Sequence, residues 1–105
     1  MSIKGIDPVT LKQWMDEGKA ILVDVREASE HAHGRIAAGH HMPLSSFNPA
    51  GLPDHADKIV VYYCASGGRT AVYGPNLHAA TPTASEVYHL RGGIGAWKNA
   101  GHDVQ

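Results

Sequence analysis

Ile59-Val60-Val61-Tyr62-Tyr63-Cys64-Ala65-Ser66-Gly67-Gly68-Arg69-Thr70 is the stretch that decides the fold. Five β-branched or aromatic residues in a row read as a strand buried on both faces, the kind a parallel sheet carries at its centre. The only cysteine, Cys64, stands where that strand ends. Gly67 and Gly68 then let the backbone curl, and Arg69-Thr70 opens a helix. Ligands of open α/β sheets bind beyond the carboxyl ends of the strands. A thiol placed there meets backbone N–H groups and a helix N-terminus, both of which favour the thiolate. A buried structural cysteine is the plain alternative, but it does not require Gly-Gly-Arg directly after it.

Outward from this stretch, strands alternate with short helices. Ile3 to Ile6 reads as a short first strand. Asp7 is placed to cap a helix whose first residue is Pro8, with Leu11, Trp14 and Met15 on one face and Gly18 as the stop. Ile21-Leu22-Val23-Asp24-Val25 reads as a second central strand, interrupted by a carboxylate that needs a partner, for which Arg26 or loop amides are the candidates. Glu27 to His33 reads as a short helix ended by Gly34. His40-His41-Met42 reads as a short strand closed by Pro43, and Ser45 or Ser46 as the cap of a turn toward Phe47. Arg69 to Ala80 reads as a helix with Val72 and Leu77 turned inward, broken at Gly74-Pro75 because Pro75 has no N–H for the carbonyl of Ala71. Glu86 to Leu90 is the last strand and Ile94 to Ala100 the last helix. The alternation predicts an α/β domain over residues 1–105, with four or five mainly parallel strands and helices on both faces.

Composition narrows the function. The chain has 105 residues, a formal net charge of -1 and nine scattered basic residues, which is not a nucleic-acid footprint. One cysteine excludes an intrachain disulfide and a cysteine-rich metal site, and fits a reducing compartment such as the cytoplasm. The apolar runs are too short to span a bilayer, and Met1 to Gly5 lacks the apolar core of a signal peptide. His31, His33, His40 and His41 cluster, but without a recurring carboxylate or thiolate at ligand spacing they are expected to be solvated rather than to bind metal. Arg91-Gly92-Gly93-Ile94-Gly95 lacks the spacing of a dinucleotide loop, and its glycines are expected to let the last strand turn tightly beside the Cys64 loop.

The chemistry these residues favour is nucleophilic. A thiolate is both nucleophile and leaving group, so Cys64 suits transfer of a group onto and off sulfur. An amide-lined ring stabilises an anionic sulfur. Arg69 either adds positive charge there or turns away to pair with a carboxylate. With no second cysteine, an outside acceptor must clear Cys64.

Three blocks resemble the rhodanese (thiosulfate sulfurtransferase) family. Asp24-Val25-Arg26, with Glu27 and Glu30 following, resembles its Asp-x-Arg strand end. Cys64 to Thr70 resembles its Cys-x-x-Gly-x-Arg-Ser/Thr loop. Val87 to Leu90 with Arg91 to Trp97 and Gly101 resembles its closing block. The nearest likeness is to single-domain bacterial forms, including the soluble domain of membrane-anchored sulfurtransferases. One departure is Gly34-Arg35-Ile36-Ala37-Ala38-Gly39, which lacks the family's Pro and reverses its Gly-Ala order. The resemblance implies that Cys64 takes the outer sulfur of a donor such as thiosulfate as a persulfide, held by the loop residues Ala65, Ser66, Gly67, Gly68, Arg69 and Thr70. A thiol or cyanide then removes it. Asp24 and Arg26 are supporting residues, and no cofactor or metal is implied. Phosphatase relatives place one more residue between Cys and Arg, so the loop here favours sulfur transfer. Small, neutral Ala65 and Ser66 suggest weak thiosulfate affinity and a mouth wide enough for a low-molecular-weight or protein persulfide. The rival reading is a persulfide carrier or sulfide-sensing module that docks on a partner protein.

Overall fold

The computed structural model describes residues 3–105; Met1 and Ser2, the start of the stretch read above for a signal peptide, lie outside them. Five strands form one fully parallel sheet: β1 (Lys4–Ile6), β2 (Ala20–Asp24), β3 (His40–His41), β4 (Ile59–Tyr63) and β5 (Glu86–Leu90), in the spatial order β1-β5-β4-β2-β3. β4 is the middle strand. Its register runs Ile59 to Ala20 through Tyr63 to Asp24 on one side, and Ile59 to Glu86 through Tyr62 to His89 on the other. Parallel strands need crossovers, and the helices that supply them cover both faces.

One face is covered by α1 (Pro8–Asp16) and α5 (Gly93–Asn99). There Leu11, Ile94 and Trp97 pack with Leu22, Val61, Tyr63 and Leu90. The other face carries α4 (Gly74–Ala79) and the turns at Leu44–Ser46 and Pro49–Gly51. Leu77 packs there with Val23, Val60, Tyr62 and Cys64, flanked by Leu44 and Phe47. Because side chains alternate along β4, Val61 and Tyr63 enter the first core while Val60, Tyr62 and Cys64 enter the second.

The local signals act as the sequence suggests at most boundaries. The Asp7 side chain accepts the Thr10 N–H at 2.7 Å, and α1 stops before Gly18. α2 (Ala28–His33) begins with a reciprocal cap between Glu27 and Glu30. The expected long helix after Cys64 is two helices, α3 (Gly68–Val72) and α4, separated at Tyr73. Pro75 falls in the first turn of α4, where a missing N–H has no helical partner to lose.

Three expectations are corrected. Val72 is 74% exposed rather than inward, because the break at Tyr73 turns the end of α3 away from the sheet. Neither Ser45 nor Ser46 caps the turn: both lie inside it, Pro43 precedes it, and the Ser45 hydroxyl donates to Glu27 instead. His31 and His41 are not free in solvent. Their rings stack at 4.1 Å, His31 Nδ1 meets Asp24 and His41 Nε2 meets the Arg26 carbonyl, while His33 and His40 are exposed as expected. No cluster of metal-ligating side chains occurs among the described residues.

Candidate functional site

Cys64 leaves β4 at its carboxyl end and is buried, with 0% of its surface exposed. Gly67, at φ 93°, turns the chain back so that its N–H donates to Cys64 Sγ at 3.1 Å. A side chain at Gly67 would be strained by that φ and would stand 3.0 Å from the Gly92 nitrogen. Thr70, fully buried in α3, sets its hydroxyl 3.7 Å from the sulfur. Burial alone pushes the Cys64 thiol up. The N–H groups of Thr70, Gly67 and Arg69 and the Thr70 hydroxyl outweigh it and hold the thiol below its ordinary value of 9.0. The loop therefore favours a thiolate in a place that water does not reach.

The closing block fixes this loop from behind. Ile94 N–H donates to the Cys64 carbonyl at 2.9 Å and Gly95 N–H to the Ala65 carbonyl at 3.2 Å. Gly93 sits at φ 58°, where an added Cβ would lie 2.3 Å from the Cys64 carbonyl oxygen and 2.6 Å from Ala65. The tight approach of the two loops is what Gly93 permits.

Arg69 turns its head to Glu30, with bonds of 2.8 and 2.7 Å to the two carboxylate oxygens. Its charge is held firmly by Glu30, and Cys64 adds a smaller coulombic pull. Arg69 therefore pairs with a carboxylate, and its charge still bears, more weakly, on Cys64. Ser66 and Gly68 are exposed on the rim of the loop and Ala65 is half-buried. The expected wide mouth is not seen over the sulfur itself, which the loop encloses.

Asp24 and Arg26 form a separate buried cluster beside the loop. Asp24 Oδ1 accepts from Arg26 N at 2.9 Å and Nε at 3.0 Å. Its Oδ2 bonds Arg26 NH2 at 2.9 Å, His31 Nδ1 at 2.9 Å and the Tyr63 hydroxyl at 3.0 Å. Arg26 also donates to the carbonyls of Glu30 and Gly34 at the two ends of one helical turn. The cluster thus fixes α2 over the sheet and, through α2, the Glu30 carboxylate that meets Arg69. Burial pushes Tyr63, which also accepts from Ile36 N–H, up to about 12, so it remains a neutral donor to Asp24.

His89 joins the site without being among the site residues expected from the sequence. It lies on β5, and its Nδ1 is 2.8 Å from Thr70 Oγ1. The signal was parity: within β5, Val87 and His89 alternate onto the face that holds Tyr62 and Leu77, an unusual place for an imidazole. A cavity of about 520 Å³ bordered by Lys12, Met15, Ile36, Ala38 and His102 does not include Cys64.

Comparison with known proteins converges on one family. The family model described as rhodanese-like domain matches residues 7–100. A protein named sulfurtransferase from Allochromatium vinosum is 32% identical over 100 residues, covering 94% of this chain and 92% of its own. An uncharacterized protein of Synechocystis is 40% identical over 96 residues, covering 91% of this chain and 52% of its own, so the chain spans about half the length of that relative. A crystal structure of a rhodanese-related protein from Thermoplasma volcanium superimposes with a TM-score of 0.80 at 25% identity, covering 97% of each chain.

Proposed function

This chain belongs to the rhodanese-like domain family, and from that premise we propose that it transfers sulfane sulfur through a persulfide on Cys64. The observation that carries the reading is the sulfur's surroundings: a buried Cys64 Sγ under the Gly67 N–H and beside the Thr70 hydroxyl, with its thiol held low. In the first half-reaction the thiolate attacks the outer sulfur of the donor. A bond forms between Cys64 Sγ and that sulfur, the donor's S–S bond breaks, and its electron pair leaves with sulfite when the donor is thiosulfate. In the second, a thiolate or cyanide attacks the outer sulfur and the Cys64 thiolate leaves. Protons and charge balance without an added oxidant, and a second cysteine is not required.

Each loop residue has a part in this reading. Gly67, Arg69 and Thr70 supply the N–H groups that hold anionic sulfur, as in other amide-lined anion sites. Gly68 shapes the curl, and the half-buried Ala65 and the exposed Ser66 lie on the rim over the enclosed sulfur. Asp24 and Arg26 support the loop through α2 and Glu30. The donor is proposed to be a low-molecular-weight or protein persulfide in preference to thiosulfate. Arg69 is already neutralised by Glu30, and neither Ala65 nor Ser66 brings charge to a dianion. No helix among the described residues is long and apolar enough to cross a membrane.

The test is intact mass after incubation with thiosulfate or glutathione persulfide, then steady-state turnover with cyanide, each beside Cys64→Ser. The expected result is the mass of one added sulfur that needs Cys64, together with turnover. Sulfur gained without turnover would make the chain a carrier, and no gain from either donor would end the persulfide reading.

A further inference from the structure

The Thr70 hydroxyl has one proton and three neighbours. Cys64 Sγ lies at 3.7 Å, the Gly67 carbonyl at 3.2 Å and His89 Nδ1 at 2.8 Å. Which neighbour receives that proton depends on His89. If Nδ1 is bare, it is the nearest acceptor, draws the Thr70 proton to itself and leaves the sulfur with its backbone donors but without the hydroxyl. If Nδ1 carries a proton, it donates to Oγ1, and the Thr70 proton is free to point at sulfur or at the Gly67 carbonyl. A negative sulfur wins that competition, because hydrogen bonds to an ionised acceptor are about twice as strong as neutral ones. The thiolate and the Nδ1–H tautomer of His89 therefore stabilise each other across Thr70.

We propose that His89 is a positioning residue for Cys64, its Nδ1–H holding the Thr70 hydroxyl so that the hydroxyl proton points at the sulfur. This deepens the sulfur-transfer reading and rests on it for its effect on turnover; its effect on the thiolate stands apart. The surroundings of His89 favour the neutral imidazole, so the donor is the tautomer with its single proton on Nδ1. Its register partners are Tyr62 on β4 and Gly5 on β1, neither of them charged at neutral pH, and Thr70 meets it from α3. Arg91, just beyond the end of β5, is the charge that bears on it. Burial first and Arg91 second push His89 below its ordinary value, away from the imidazolium. The same bond serves the persulfide, whose terminal anion forms within the loop that Thr70 lines.

The test compares His89→Leu, which offers no donor, with His89→Asn, whose amide N–H falls near the place of Nδ1, each also in a Thr70→Val background. The readout is the ultraviolet absorbance of the thiolate against pH, taken as a difference from Cys64→Ser, with thermal unfolding to confirm folding. We expect His89→Leu to raise the thiol midpoint by about one unit, a tenfold loss of thiolate below the midpoint. His89→Asn should recover most of it, and Thr70→Val should remove any further effect of His89→Leu. If the leucine variant does not fold, Asn against Gln makes the same comparison, since Gln places its N–H toward the position of Nε2. An unchanged midpoint in His89→Leu, equal behaviour of Asn and Leu, or an undiminished shift in the Thr70→Val background overturns the proposal. No sulfur donor enters this measurement. A shift without persulfide formation keeps the role of His89 and removes the sulfur-transfer reading, and persulfide formation without a shift does the reverse.

Discussion

Replacing Asp24 with asparagine should cost more than almost any other change of one atom in this chain. Asp24 is 0% exposed, and its nearest charged partner, Arg26, is 5% exposed. Each group bonded to the carboxylate is placed to donate: three from Arg26, one from Tyr63 and the ring nitrogen of His31. An asparagine amide must turn its NH2 toward one set or the other. Turned toward the first oxygen's place, it faces two Arg26 N–H groups. Turned toward the second, it faces Arg26 again and a Tyr63 hydroxyl whose oxygen already accepts from Ile36 N–H. Either way the buried guanidinium loses its counter-charge. Breaking a buried pair from one side costs about 3–5 kcal/mol. Arg26 keeps its bonds to the Glu30 and Gly34 carbonyls, which places the cost near the lower end, about 3 kcal/mol. For a domain of this size that is a fall in Tm of about 12–24 °C.

The assay is urea unfolding at neutral pH followed by the fluorescence of Trp97, which is buried in the core. A loss below about 1 kcal/mol, the worth of an exposed pair, would refute the argument that the cluster is a buried keystone. The double change Asp24→Leu with Arg26→Met should recover much of the loss, since an apolar pair leaves no charge stranded. The pH dependence has a fixed sign. Burial raises the Asp24 carboxyl, but the bonds from Arg26 and His31 outweigh burial and hold it below its ordinary 3.8. Its contribution is therefore present in full above that ordinary value and is lost as pH falls through the lower folded value. Asp24→Asn should remove this part of the acid limb.

Three further outcomes follow from neighbouring contacts. Glu30→Gln should cost under about 1 kcal/mol at neutral pH, because the pair with Arg69 is a third exposed. Arg69 holds the Glu30 carboxyl at about 2 against an ordinary 4.5, so the gap between wild type and variant in urea midpoints should close as pH falls through that window, and a constant gap would contradict the pairing. Gly93→Ala should abolish sulfur transfer and cost about 3 kcal/mol or more, since its Cβ would meet the Cys64 and Ala65 backbone rather than a side chain that can move; an active variant of normal Tm would show the two loops are not held together there. Ala38, at φ 67° in the loop whose Ala-Gly order is reversed, pays the left-handed penalty of a side chain. Ala38→Gly should stabilise by about 0.5–1 kcal/mol in urea unfolding, and a destabilised variant would show that the loop tolerates the strain for another contact.

The strands and the loop were legible because their signals are local. A continuous apolar run means a strand buried on both faces wherever it occurs, and β2 and β4 begin and end close to where the pattern does. Asp7 and Pro8, Gly34 and Pro75 punctuate helices within a few residues of chain. The short reach from Cys64 to Thr70 confines the loop to a curl, so the anion-holding geometry could be expected without knowing its neighbours. Val72 and Ser45 were misread for the same reason: a helical face and a cap were assigned from residue type, while a break at Tyr73 and the reach of Glu27 from another element decided both.

The sequence by itself determined a parallel α/β sheet with a cysteine loop at the end of its central strand, because periodicity, glycine placement and capping act within a few residues. The tertiary structure alone decided which charges and protons meet at the site. Arg69 is joined to Glu30 across 39 positions of chain, Asp24 to Tyr63 across another 39, and Thr70 to His89 across 19. A hydrogen bond depends on a distance of about 3 Å and on the direction of a donor. Spacing along a chain carries neither once distant parts of the sequence lie side by side, and so the partners of Cys64's loop are set by the pairing of β4 with β5, which brings His89, and by the seating of α2, which brings Glu30.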